Sequence, residues 1–365
     1  MINLSKLLFP GAAGFHGDAL RFPEKSADVP PPVIVWHVTD ECNLRCRHCY
    51  SGRRPGSGPD SKPAMEGAEA FRFLEYLRDN APSALIMSGG EPMMHPMFFE
   101  FADFASRCGL SVALSTNGSM IDDHSSASIF EAGISYVGVS IDGPRDVHDR
   151  FRGTRGAFDY SVMGIKRMAA RGCRTGLRVT LAKPLLPYLN EIMDAAERLP
   201  VSRICFYHFI PSGRGASDPD LIPDTAEERA SVTQIIEWAE RVGSERTGER
   251  RLEVLTVGDA SDGVLLFKYL SNRGSDRAEA ARTLISRSAS RGIGEGILSV
   301  RWDGLVFPNQ FDWETSLGRW TDLDEIRRRK RQNCGRGSLC VGCEWTSMCG
   351  GSLRAGLMGR CSLTE

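Results

Sequence analysis

"TDECNLRCRHCYSG", Thr39–Gly52, packs Cys42, Cys46 and Cys49 into eight positions, directly after the apolar run "PVIVWHV" (32–38). Tetrahedral zinc sites take four ligands, and this stretch supplies three thiols. A run of that composition reads as a strand, which puts the cysteines on the loop at its C-terminal end. In barrel-like parallel sheets, that end carries the chemistry.

The pattern recurs down the chain. "ALIMS" (84–88), "SVALST" (111–116), "SYVGVSID" (135–142), "TGLRVTLA" (175–182) and "SRICFYHF" (202–209) are further short apolar runs. Amphipathic segments near 64–79, 97–107, 122–132, 157–171 and 187–198 separate them. Short, nearly all-apolar strands alternating with helices imply a parallel sheet covered on both faces. Six such units are too few to close an eight-stranded barrel, so the expected fold is α/β, a partial (βα)6 TIM-like barrel. After Ile210 the rhythm changes to a loop, a helix over 224–243 and a polar, Arg-rich stretch over 273–290. "ILSVRWDGLVFP" (297–308) places two alternating runs around Asp303-Gly304, a two-residue hairpin signal. "TDLDEIRRRKR" (321–331) reads as a helix with a solvated basic face. The expected division is an N-terminal extension (1–30), a barrel (31–215), a helical bridging region (216–295) and a small C-terminal domain (296–365).

A formal net charge of -1 over 365 residues predicts no nucleic-acid or membrane partner. No apolar run approaches the roughly 20 residues that cross a bilayer. "MINLSKLLFPGAAGF" lacks the apolar region and cleavage site of a secretory signal, so the expected location is the cytoplasm. Eleven cysteines are many for that compartment, where clustered cysteines read as metal ligands. Three lie within 42–49 and five within 334–361. Cys108, Cys173 and Cys205 stand alone and read as small buried hydrophobes.

Three thiolates can hold three irons of a four-iron, four-sulfide cube and leave the fourth open. An open coordination position is what separates catalytic from structural metal sites, and iron–sulfur centres reach potentials down to about -700 mV. His48, between Cys46 and Cys49, is poorly placed to complete a zinc tetrahedron with them. C-x3-C-x2-C after the first strand, followed by an aromatic residue (Tyr50), resembles the signature of the radical S-adenosylmethionine (SAM) enzymes. The resemblance implies that Cys42, Cys46 and Cys49 hold a [4Fe-4S] cluster whose open iron is chelated by SAM. It further implies that an electron cleaves SAM to a 5'-deoxyadenosyl radical, which abstracts hydrogen from the substrate.

Further motifs fit a SAM pocket. "MSGGEP" (87–92) resembles the family's GGE motif: Gly89 and Gly90 allow close backbone approach, and Glu91 can accept hydrogen bonds from an ammonium. "STNG" (115–118) and "SIDG" (140–143) end the next strands, making Thr116, Asn117, Ser140 and Asp142 candidate SAM contacts, with simple turn chemistry as the alternative. Arg178 is a candidate for the SAM carboxylate if its side chain points into the barrel, and a surface residue if it points out.

In the tail, Cys340, Cys343 and Cys349 resemble the SPASM or twitch extension of one radical SAM branch, and Cys361 supplies a plausible fourth ligand for a second [4Fe-4S] cluster. Cys334 is a spare or a substitute. Structural zinc is the competing reading of those cysteines. "DALRF" (18–22), "FYHFIPSGRG" (206–215), "EVLTVGDASDGVLLFKYL" (253–270), "GILSVRWDGLVFPNQF" (296–311) and "CSLT" (361–364) resemble the branch that edits tetrapyrrole side chains, which includes 12,18-didecarboxysiroheme deacetylases and the haem d1 enzyme. That likeness implies an iron tetrapyrrole substrate whose acetate or propionate side chains are modified, and an electron donor such as flavodoxin or ferredoxin. Phe307 and Asn309 depart from the branch's His-Pro-Asp-Gln pattern. Tyr207, His208 and Arg214 are candidate substrate contacts at the barrel mouth. A polycarboxylate substrate calls for arginines, and Arg152, Arg155, Arg214, Arg291 and Arg301 are available. The alternative substrate is a ribosomally made peptide. The ~30 residues before the first strand are short for the winged-helix module such maturases carry.

Overall fold

The computed structural model describes residues 1–12, 31–51, 64–80, 82, 84–246, 251–289, 296–333, 342–351, 358, 361 and 363. The strands are β1 (Ile2–Asn3), β2 (Val33–Thr39), β3 (Ala84–Gly89), β4 (Val112–Thr116), β5 (Tyr136–Ser140), β6 (Thr175–Leu181), β7 (Arg203–His208), β8 (Glu253–Val257), β9 (Ile297–Val300), β10 (Leu305–Phe307) and β11 (Gly318–Arg319). They form one open sheet in the order β1-β8-β7-β6-β5-β4-β3-β2-β9-β10-β11. From β2 to β8 each strand pairs in parallel with the next. The six expected strands are β2 to β7. β8 extends them inside the stretch read as a helical bridging region, and β9 extends them in parallel on the other side of β2.

Alternation along the strands decides which side chains face the barrel interior. Trp36 points outward, 5.4 Å from both Phe73 and Phe101 on the covering helices. Helix Gly67–Asn80 buries Ala70, Phe73, Leu74 and Leu77, the 3-and-4 spacing of one apolar stripe. Helices Asp123–Glu131 and Thr225–Glu245 begin at Asp122 and Asp224, whose side chains each accept a backbone N–H three residues on. Helices Arg145–Arg152 and Ser261–Asn272 are additions to the expected set.

Two local expectations change. The β9–β10 hairpin turns through three residues, not two: Arg301 N donates to Leu305 O at 2.8 Å, Gly304 N to Arg301 O at 2.9 Å, and Gly304 sits at φ 81. A turn closed by a left-handed glycine is the usual three-residue solution. The basic helix runs Leu323–Asn333, because Trp320–Asp322 forms a 3-10 turn first. Its Arg328 and Arg329 are exposed and pair with Glu325 one turn back.

At the far edge of the sheet, β1 pairs antiparallel with β8, and Asn3 Nδ2 donates to Glu253 Oε1 at 2.8 Å. Glu253 also holds Arg203 at 2.5 Å. No helix among the described residues is long and apolar enough to cross a membrane.

Candidate active site

The cysteine loop leaves β2 and crosses the end of β3. Gly90 N donates to Thr39 O (2.8 Å) and Glu91 N to Glu41 O (2.7 Å). A Cβ on Gly89 would lie 2.4 Å from Thr39 O, and one on Gly90 2.0 Å from Glu41 O. The cysteine loop's own backbone therefore packs against these paired glycines.

Two further segments brace the loop. Arg45 N and Arg47 N donate to Arg152 O (3.1 Å) and Phe151 O (2.9 Å). Arg214 N donates to Cys49 O at 2.8 Å and its guanidinium to Cys46 O at 2.6 Å. Gly213, at φ 55, lets that segment press against the Tyr50 carbonyl. Arg214, expected at the substrate, is thus engaged with the loop.

The three thiols come together. Leu44, Cys46 and Ala157 form a small apolar cluster against which Cys42 and Cys49 pack, and all three cysteines are free of disulfides. Leu44 N approaches the Cys42 sulfur at 3.5 Å, Ser51 Oγ the Cys49 sulfur at 3.3 Å and Arg152 Nη1 the Cys46 sulfur at 3.6 Å. Burial pushes the Cys42 thiol up to about 12 and raises that of Cys46. Ionising them there requires a positive partner, which iron supplies. Among the described residues, no three His, Cys, Asp or Glu side chains converge on a single ion's position. A four-iron cube spreads its thiolates over separate corners and needs no such convergence. The donor set and its spacing therefore fit the cube.

Behind the loop lies a buried polar layer. Glu91 is fully buried; it accepts from Thr116 Oγ1 (2.7 Å) and Asn117 N (2.9 Å), and burial pushes its carboxyl up to about 7. Asn117 Nδ2 donates to Asn43 Oδ1 at 2.9 Å. Asp142 is also fully buried, paired with Arg152 and accepting from Thr180 N at 2.8 Å. Burial opposes its charge, but Arg152, His48 and His148 hold it below the usual carboxylate range. Glu91, Thr116, Asn117 and Asp142, expected at SAM, lie together behind the loop and make these contacts there. His48 stacks on Phe151 at 4.5 Å, beside the cysteines rather than among them.

Arg178 points inward. It pairs in register with Ser140 on β5; its stem fills the place that a Gly138 side chain would take, and its guanidinium lies 4.4 Å from the Tyr207 ring centre. It has no carboxylate partner among the described residues. Tyr50 OH reaches Ser88 Oγ at 3.5 Å. His208 points to the helix side instead, where it meets Asp262 at 2.8 Å. Arg301 pairs with Asp303 at 2.6 Å, Arg155 is exposed, and Arg291 lies outside the described residues.

Sequence reasoning missed an aromatic wall beside Tyr50. Phe311 stands 5.4 Å from Tyr50, and Trp313 lies 5.2 Å from Phe307 and donates to Tyr50 O at 3.1 Å. His37 is 4.8 Å from Trp313 and fully buried, with neither ring nitrogen bonded. A histidine within an otherwise apolar buried strand was the available signal.

In the tail, Cys343 precedes the short helix Thr346–Cys349 and Cys349 ends it, and Thr346 Oγ1 donates to Cys343 O at 2.7 Å. Gly350 and Gly351 follow at φ 67 and 98, turning the chain where Cβ atoms would strain it. Cys361 is half-buried. Cys334 and Cys340 lie outside the described residues.

Residues 36–199 match the Radical SAM superfamily. The chain is 32% identical to Fe-coproporphyrin III synthase of Methanosarcina barkeri, over 97% of this chain and 93% of that protein. This chain belongs to the radical SAM superfamily. It therefore uses SAM and a [4Fe-4S] cluster and needs a reductant. This radical SAM protein is also 29% identical to pre-heme d1 synthase of Dinoroseobacter shibae, over 91% of this chain and 84% of that protein. Its fold is that of Streptococcus suis SuiB, solved with S-adenosylmethionine bound, at a TM-score of 0.64 and 14% identity, covering 91% of this chain and 75% of that one.

Proposed function

We propose that this radical SAM protein removes or modifies acetate or propionate side chains of an iron tetrapyrrole, as a step in haem or haem d1 formation. The observation that carries the reading is the likeness, over nearly the whole of both chains, to Fe-coproporphyrin III synthase. Phe311, Trp313 and Tyr50 support it, because an aromatic wall suits a flat macrocycle, with buried Phe307 packed behind Trp313. The departures at Phe307 and Asn309 then support that wall from behind: Asn309 Oδ1 accepts from Phe311 N at 2.8 Å and sets its turn.

On this reading Cys42, Cys46 and Cys49 hold the cluster, which supplies the electron that cleaves SAM. Gly89 and Gly90 seat the loop, and Glu91, Thr116, Asn117 and Asp142 brace it from behind. Arg178 takes the SAM carboxylate, with Ser140 beside it and Tyr50 alongside. Residues 31–215 carry this chemistry, 1–30 and 216–295 add β1, β8 and neighbouring helices at one edge, and 296–365 add β9–β11 at the other edge and the second cysteine set. Cys340, Cys343, Cys349 and Cys361 hold a second [4Fe-4S] cluster. Flavodoxin or ferredoxin serves as reductant.

The test is anaerobic turnover with SAM, a low-potential reductant and candidate iron tetrapyrroles. The expected result is 5'-deoxyadenosine release coupled to a mass loss in the tetrapyrrole. A tetrapyrrole that neither changes mass nor alters the rate of SAM cleavage overturns the reading, and coupled change in a peptide instead supports the maturase alternative. Cys343→Ala should keep SAM cleavage and lose tetrapyrrole product; loss of both argues against separate roles for the two cysteine sets. Arg178→Met should weaken SAM binding about 10–100-fold, the loss of one charged hydrogen-bonded contact of roughly 1.5–3 kcal/mol, with iron content unchanged. Unaltered SAM affinity by equilibrium dialysis rules that role out.

A further inference from the structure

The Arg152–Asp142 pair has a geometry that bracing alone does not require. Arg152 lies in the interior at 7% exposure and Asp142 at 0%. Asp142 is fixed from two sides: its Oδ1 accepts from Thr180 N at 2.8 Å, and its own N–H donates to His148 Nδ1 at 3.0 Å. Its other oxygen takes Arg152 Nη2. That leaves Arg152 Nη1 aimed at the Cys46 sulfur, 3.6 Å away. The backbone of the same segment is tied to Arg45 and Arg47 on either side of Cys46, and the ion pair with Asp142 holds the guanidinium over that sulfur. A neutral thiol is a poor acceptor, whereas a thiolate accepts such a bond well. The arrangement therefore suits Cys46 in its metal-ligating form.

We propose that Arg152 is a positioning residue that tunes the reduction potential of the SAM-binding cluster through the Cys46 sulfur, with Asp142 setting the strength of that effect. The inference rests on the assignment of Cys46 as a cluster ligand. The pair is a dipole with its positive end on the sulfur, and hydrogen bonds and charge at the sulfurs are what set iron–sulfur potentials. Breaking the pair from either side must shift the potential in opposite directions. Arg152→Gln leaves a buried carboxylate near the sulfur and makes the cluster harder to reduce. Asp142→Asn leaves the guanidinium uncompensated and makes it easier to reduce.

The measurement is a potentiometric titration of the reconstituted full-length protein, following the part of the reduced-cluster EPR signal that changes when SAM is added. Each variant is expected to shift the one-electron equilibrium about tenfold, or ~59 mV, downward for Arg152→Gln and upward for Asp142→Asn. A purely structural role would lower iron content or thermal stability in both variants without shifts of opposite sign. Shifts of the same sign, or none, overturn the proposal. Should Arg152→Gln fail to retain iron, the isosteric Asp142→Asn decides alone, and no upward shift overturns it. A SAM-sensitive signal that survives in Cys46→Ala would instead overturn the ligand assignment on which the inference rests.

Discussion

Cys46→Ala abolishes 5'-deoxyadenosine formation, with activity expected at the background of a cluster-free control. Cys46 is the most enclosed of the three thiols, at 8% exposure, wedged beside Leu44 and Ala157. Alanine there leaves Arg152 facing a methyl group and leaves two thiols to do the work of three. On the proposed ligation the mutation removes a cluster ligand and a hydrogen-bond acceptor together, so no neighbouring group compensates. The barrel should survive it, since the main apolar core does not include Cys46. Anaerobic iron and sulfide counting should show about four fewer of each per chain than in the parent protein, with far-ultraviolet circular dichroism unchanged. Full SAM cleavage in this variant would place the cluster elsewhere.

Gly90→Val carries the second large effect and touches no ligand. The added Cβ would start 2.0 Å from the Glu41 carbonyl oxygen, a backbone atom with no flexible end to yield. Either the end of β3 or the cysteine loop must move, and the two hydrogen bonds that join them, from Gly90 and Glu91, are lost with that movement. Overpacking a tight site costs about 1–3 kcal/mol, which the barrel can absorb. The loop cannot, because Cys42 follows Glu41 directly. Iron retention should fall at least tenfold while the unfolding midpoint drops by only a few degrees. Gly109→Ala is the control: unlike Gly90 it sits at a positive φ (81), but nothing lies within 4 Å of its Cβ, so it should cost stability mildly and leave iron untouched. Normal iron content in Gly90→Val would mean that the loop tolerates displacement.

The six central strands were legible because each is a short apolar run that parallel packing buries on both faces. β8 was not, because its Glu253 looks like a surface residue until Arg203 and Asn3 are seen to hold it. The Arg145–Arg152 helix is rich in charge and hides behind the "SIDG" turn, yet it delivers Arg152 to the site. The cysteine loop itself could be read from spacing alone. What spacing does not carry is direction. Thr116, Asn117 and Asp142 are the right residue types for a ligand pocket, and their contacts to Glu91, Asn43 and Arg152 appear only in the fold. Arg178 could be assigned an inward direction only once its register with Ser140 was known.

The pairing of β1 with β8 has a consequence for synthesis on the ribosome. Asn3 emerges first, but its partner Glu253 is 250 positions later in the chain. At about 5–20 residues per second, the nascent segment waits on the order of 10–50 s before the edge it covers exists. During that interval its apolar Ile2, Leu4, Leu7 and Leu8, all buried in the finished protein, have nowhere to go. β1 is thus made long before it can be seated, and its apolar side chains stay uncovered until β8 exists to receive them.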